Sequence, residues 1–318
     1  MPLSLEQYAK FLDGRADLLW PAAPEVKPPK ATPHLKNLPG IRVVTFSVYG
    51  TLVAISGGAL SFVHPQDFIM EAALEKTIQE FKMWQSMSRK PGKPSEYMRQ
   101  IYQQMMEEVR IARSTAGERF PELRSDELWQ LIVRRLIKNE YEFDGPFYGS
   151  VEQLCEKISY FFHSSLQGTG PQSAALEALK SLREKQLSLG LIADAQCFTT
   201  VQLLRALARQ GKLSHLSELM DTELEALSFQ VGAKKPSERL FRALVAQLAP
   251  RDIAPNQVLH VGSNLPNDVT PARRLGFRTA LFAGDKSSVV ATKEQLNEPT
   301  SRPDVLVTDL RQLVDIVG

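Results

Sequence analysis

The chain has 318 residues, enough for about two folding units of roughly 150 residues each, or one domain carrying a large insertion. Lys and Arg total 38 against 36 Asp and Glu, a net charge of +2, which excludes a protein that works by neutralising nucleic-acid phosphates. With 43% apolar and 23% charged residues the composition is globular, and extensive disorder is excluded. Two cysteines, Cys155 and Cys197, exclude a disulfide framework or a cysteine-rich metal site and fit a reducing, cytoplasmic setting. No basic-then-apolar leader opens the chain. The uncharged stretch 43–66 is broken by Gly50, Gly57, Gly58 and Pro65, so it falls short of the roughly 20 apolar residues a membrane span needs. No membrane association is expected.

Residues 1–40 read as an N-terminal extension. A short amphipathic helix is expected over 4–12. Six prolines from Pro21 to Pro39 then forbid both helix and central strand. The segment is either a strap over the body, anchored by Leu18, Leu19 and Trp20, or a loosely ordered tail. Residues 41–46 form a β-branched run that suits a strand buried in a parallel sheet. Helical periodicity follows over 65–81, 95–113, 125–139 and 151–166, with no strand signal of comparable strength between them. That block is read as an all-helical insertion. A seam of Met83, Met87, Met98, Met105 and Met106 with Phe81, Trp84 and Tyr97 reads as its core, or else as the lining of a groove. Arg89, Lys90, Lys93 and Arg99 read as a solvated basic face, and His64, His163 and His215 as packed or surface histidines.

From residue 171 strands and helices alternate. Helices are expected over 173–185, 198–210, 237–248, 267–275 and 309–316. Strands are expected over 187–193, 224–228, 257–261, 278–282 and 304–308. Such alternation implies right-handed βαβ units and a Rossmann-like parallel sheet. The division is 1–40 extension, 41–55 with 168–318 α/β core, and 56–167 helical cap inserted after the first strand. In such sheets ligands bind at the carboxyl ends of the strands.

Four turns there carry chemistry: Phe46-Ser47-Val48-Tyr49-Gly50-Thr51-Leu52, Leu191-Ile192-Ala193-Asp194, Gly232-Ala233-Lys234-Lys235-Pro236, and His260-Val261-Gly262-Ser263-Asn264-Leu265-Pro266-Asn267-Asp268. Their order and setting resemble the haloacid dehalogenase superfamily of hydrolases, over roughly residues 41–318. The resemblance implies a catalytic site at Ser47, Tyr49, Lys235 and Asp268, with Gly50, Thr51, Ala193, Asp194, Ser263 and Asn264 around the ligand. It also implies departures. The family's first motif supplies a nucleophilic Asp, where this chain has Ser47, a hydroxyl that needs a base to ionise. Its second motif supplies a hydroxyl donor, replaced here by Ala193. Its third supplies a lysine, matched by Lys235 at the Lys-Pro junction in preference to Lys234. Its fourth supplies two metal-holding carboxylates, of which Asp268 remains while Ser263 occupies the other position.

Asp268 and Lys235 cancel in charge, leaving one negative charge if Asp194 faces inward. Mg²⁺ favours carboxylates and other hard oxygens, so its binding is expected to be weak or absent, with no other cofactor. The backbone turn 48–51 is expected to point amides at an anion, with Lys235 and Thr51 adding to it. The leading expectation is a degenerate hydrolase that binds a small phosphorylated or carboxylate ligand. Two alternatives stand beside it: an active hydrolase using Ser47, Asp194 or Asp268, and an interaction module that meets a protein partner through the cap or the extension.

Overall fold

In the computed structural model, which describes residues 1–87, 92–114 and 117–317, six parallel strands form one sheet. They are β1 (Val43–Phe46), β4 (Ser188–Ala193), β5 (Glu225–Leu227), β6 (Val258–Gly262), β7 (Arg278–Phe282) and β8 (Val305–Val307). The order is β5-β4-β1-β6-β7-β8. β1 sits between β4 and β6, pairing Thr45 with Gly190 on one side and His260 on the other. The chain therefore fills one half of the sheet through β4 and β5, then returns across β1 to fill the other. That reversal opens a crevice at the carboxyl ends of β1, β4 and β6. Strands buried on both faces explain the near-continuous apolar runs. The α/β core with its helical region inserted after β1 is as the sequence implies.

One feature escaped the sequence. β2 (Val53–Ile55) and β3 (Thr169–Pro171) pair antiparallel at the two ends of the helical region, as a ribbon under it. Three-residue strands of mixed composition give too short a periodicity to read. Between them the helices Asp67–Glu80, Pro94–Ser114, Ser125–Ile137 and Val151–Leu166 enclose a separate apolar cluster. The expected methionine seam lies inside it, except that Trp84 is 45% exposed. Val151–Leu166 starts at a capping box in which Ser150 and Gln153 satisfy each other's backbone amides. Its His163 is fully packed, bonded to Ser125 Oγ at 3.0 Å, whereas His64 is half-buried and His215 exposed. Arg99 pairs with Asp67 and Glu71 and Lys93 is exposed; Arg89 and Lys90 lie outside the described residues.

The expected helix over 267–275 is divided. Asn264 caps a wide first turn, Leu265–Val269, and Pro271 then opens the helical turn Thr270–Arg274. The prolines at 266 and 271 lack the amides that a regular helix would use.

The N-terminal extension is an ordered strap. Its helix Leu5–Asp13, capped by Ser4 and Gln7, buries Tyr8, Ala9 and Leu12 in the helical cluster. Arg205, from the α/β part, donates to the Ala9 carbonyl at 2.6 Å and pairs with Asp13. Arg15 reaches Glu80 of the helical part. Trp20 packs edge-on against Phe161 at 5.2 Å and, with Pro21, lies beside Gly168 and the ribbon residue Thr169 around a small cavity of about 70 Å³. Leu19 corrects the expectation: its side chain is 79% exposed, and only its carbonyl is held, by Lys76. Farther on, Lys27 and Lys286 share a backbone bond at 2.7 Å, and His34 exchanges two with Leu306, covering the edge of β8. Among the described residues, no helix is long and apolar enough to cross a membrane.

Because Leu12 is fully buried in the cluster, Leu12→Ala should cost about 2–5 kcal/mol in urea denaturation. A loss under about 0.5 kcal/mol, the ordinary surface value, would mean the strap adds nothing to that core.

Candidate functional site

The sheet's reversal brings the motif residues together. Ser47 follows β1 and hangs from β6 through its amide, bonded to the Val261 carbonyl at 2.9 Å. Asp268, in the wide turn after β6, lies across the end of that strand. Gly262 makes this approach possible: a Cβ there would come within 2.3 Å of the Asp268 carboxylate. Gly50, at φ +79°, turns the chain over Ser263, whose Oγ would lie 2.7 Å from a Cβ.

Three side chains close into a triangle. The Ser47 hydroxyl donates to Asp268 Oδ1 at 2.8 Å, and the Lys235 ammonium donates to Ser47 Oγ at 2.7 Å and to Asp268 Oδ1 at 2.5 Å. Lys235 is 6% exposed and Asp268 3%. The second carboxylate oxygen accepts the Asn264 amide at 2.8 Å. Burial tends to raise the Asp268 carboxyl, but the Lys235 ammonium and the Asn264 amide outweigh it and hold its pKa below the ordinary value. Beneath the triangle, Thr45 and His260 pair side by side across β1 and β6, Oγ1 to Nδ1 at 3.0 Å. Burial pushes the His260 imidazole down to about 3, so it stays neutral.

The remaining expected residues divide. Asp194, Ser263 and Asn264 line a cavity of about 600 Å³ together with Tyr49, Lys235 and Asp268. Asp194 Oδ1 accepts the Lys235 amide at 2.8 Å, and burial raises its carboxyl pKa against the pull of Lys235. Ser47, Gly50, Thr51 and Ala193 do not line that cavity. The expected anion nest over 48–51 is reduced in part: the Gly50 and Thr51 amides donate to the carbonyls of Val53 and Val48, which spends two of the turn's four donors, while Val48 and Tyr49 line the cavity. Thr51 Oγ1 is buried without a partner. The Tyr49 hydroxyl is held by Gln202 at 2.6 Å and Thr199 at 3.1 Å, and burial raises its pKa above the usual phenol range. It is committed as a strut, with its proton donated to Gln202.

The donor set does not fit Mg²⁺. One Asp268 oxygen is taken by Lys235 and Ser47 and the other by Asn264, while Asp194 is tied to the Lys235 amide. Among the described residues, no group of three or more His, Cys, Asp and Glu side chains could hold a metal.

Sequence reasoning missed the cavity's roof. Arg110 and Arg113 project from helix Pro94–Ser114, and Arg119, Phe120, Pro121, Glu122 and Leu123 follow it. Arginines three apart on an amphipathic helix read as a solvated face, and nothing local says that a cavity lies under them. Pro121 forms an antiparallel bridge with Ala233, and the Lys234 amide donates to the Phe120 carbonyl at 2.9 Å, which closes the roof onto the wall. Glu122 clamps this contact. Its carboxylate accepts the Ser228 hydroxyl at 2.5 Å and the Gln196 amide at 3.1 Å. Burial pushes its pKa up to about 7, aided by Asp194 and opposed by Ser228 and Lys234.

The family described as HAD-hydrolase-like matches residues 232–313, the part that carries Lys235, Ser263 and Asp268. No curated protein sequence matches the chain significantly. Among solved structures, a 2-haloacid dehalogenase from Pseudomonas syringae pv. Tomato DC3000 is similar, with TM-score 0.53 and 18% identity over 87% of this chain and 97% of that one. An HAD phosphatase from Thermococcus onnurineus gives TM-score 0.45 and 16% identity, covering 87% and 97%. The L-2-haloacid dehalogenase of Xanthobacter autotrophicus with chloropropionic acid covalently bound gives 0.43 and 19%, covering 86% and 97%. The Pseudomonas likeness, joined to the sheet order and the inserted helices, defines the class: this chain has the fold of the haloacid dehalogenase-type hydrolases.

The clamp sets a pH dependence. The Glu122 carboxyl has a pKa raised from 4.5 to about 7 in the closed structure. Its contribution to stability is therefore complete below pH ~4.5 and is lost as pH rises through ~7, amounting at most to about 3 kcal/mol. Glu225, near Asp221, titrates in the same window, so the difference between the parent and Glu122→Gln isolates the clamp. Urea midpoints measured from pH 4.5 to 8 should fall more steeply for the parent; parallel curves would refute the assignment. Asp268→Asn, which strands a buried ammonium, should cost about 3–5 kcal/mol by the same measurement.

Proposed function

We propose that this chain is a binding protein on a hydrolase fold: it takes a small phosphorylated or carboxylate ligand and does not turn it over through a covalent intermediate. The observation that carries this reading is the commitment of Ser47. Its only proton is donated to Asp268, and its oxygen accepts from the Lys235 ammonium. A serine attacks only after a neighbouring base removes its proton. Lys235 donates to both Ser47 and the Asp268 carboxylate, and an ammonium has no lone pair to receive a proton. Asp268, with its pKa held low, is a weak base whose lone pairs already accept three hydrogen bonds. Attack, charge balance and metal binding each need a group that is either absent here or spent on its neighbour. Fold alone does not carry activity, and the comparisons speak for the fold.

The full-length chain, assayed against phosphate monoesters, 2-haloacids and simple esters with and without Mg²⁺, should release no product above buffer. Saturable hydrolysis that disappears in Ser47→Ala would overturn the reading. A gain-of-function arm tests the alignment of positions. Ser47→Asp with Ser263→Asp restores three carboxylates around Lys235 and should create Mg²⁺ affinity detectable by calorimetry. A double variant that folds but takes up no Mg²⁺ would show that these positions do not share one metal site.

A further inference from the structure

The proposed anion site has its usable positive charge on the roof. On the floor, the Lys235 ammonium is divided between Asp268 and Ser47, and the Gly50 and Thr51 amides are consumed by the turn. Higher up the balance reverses. Arg113 is paired with Glu127, but Arg110, Arg119 and Lys234 also line the cavity, and none of the three makes an ion pair with a described residue. The acids that face them are muted. Glu122 is buried and Asp194 half-buried, each accepts hydrogen bonds from its surroundings, and burial raises the carboxyl pKa of both. The cavity thus carries three cations that make no ion pair with a described residue, with Lys234 near Glu122 and Asp194.

Below these cations the walls are apolar. Leu60, Phe62, Leu123 and Val290 line the cavity, and the Phe120 ring lies under the Arg119 guanidinium at 5.3 Å. A guanidinium seated on an aromatic face keeps its edge donors free for a carboxylate or phosphate. A free inorganic anion would satisfy the cations and leave this apolar surface wet. An amphiphilic anion would cover both.

Resting on the reading above, we propose that the ligand is an organic acid anion, a phosphate or carboxylate on an apolar aryl or acyl body, whose acid group binds Arg110, Arg119 and Lys234 at the mouth while its body fills the cavity toward Phe62 and Leu123. The degenerate floor then closes the pocket without holding the charged group. This explains how the site tolerates the loss of its strand-end donors: recognition has moved to the helical part.

The test is calorimetric titration of the full-length chain with phenyl phosphate and, separately, with inorganic phosphate. Phenyl phosphate should bind more tightly, and the double variant Arg110→Ala/Arg119→Ala should weaken its binding about tenfold or more, a loss of about 1.4 kcal/mol or more. Arg99→Ala/Arg134→Ala, at surface pairs with Asp67 and Glu152, serves as the charge-matched control and should bind like the parent. Retention of parent affinity in the double variant, or equal affinity of the parent for the two anions, would overturn the roof assignment while leaving anion binding in place. Failure of the parent to bind either probe would overturn the anion-binding reading itself.

Discussion

The buried Lys235 ammonium is the group around which the strand ends are organised. Removing it from water is costly, and the cost is met only because Asp268 and Ser47 converge on it from β6 and β1. Each partner arrives by its own device: Ser47 by its amide bond to Val261, Asp268 by a wide turn over a glycine, Lys235 by the hold of Asp194 on its backbone. The arrangement has the outline of a catalytic centre and the electrostatics of a structural one. A carboxylate at position 47 would leave excess negative charge for a metal or for attack; a hydroxyl leaves a neutral, satisfied cluster.

That neutrality bears on how the molecule is closed. The roof bridges the wall through Pro121 and Ala233, and Glu122 fastens it to Ser228 and Gln196. The strap adds a second tie, bonding Arg205 of the α/β part and Lys76 and Glu80 of the helical part. Both ties join the parts that flank the ribbon, so opening the cavity means breaking buried polar contacts as well as apolar packing.

Much of the plan was legible along the chain because local rules sufficed. Short apolar runs and period-3.6 patterns located all six sheet strands and the long helices, and the four turns could be aligned by their order and their setting at strand ends or a helix start. The reading went astray where neighbours in space decided. The nest over 48–51 looked available because sequence shows which amides exist, and only the fold shows that Val48 and Val53 have taken two of them. Leu19 looked like an anchor by its hydrophobicity, yet the strap turns it outward. The ribbon of β2 and β3 joins segments more than a hundred residues apart, and neither is long enough to declare itself.

What the sequence determined by itself was the fold class and the presence of a serine at the end of the first strand, because these depend on the order of residue types along strands and turns. What only the tertiary structure decided was where charge remains free. Lys235 reads as an available cation until Asp268 and Ser47 are seen to occupy it, and only the fold sets Arg110 and Arg119 beside a cavity. Electrostatic availability depends on distance and burial, and in this chain both are set by groups far apart in sequence.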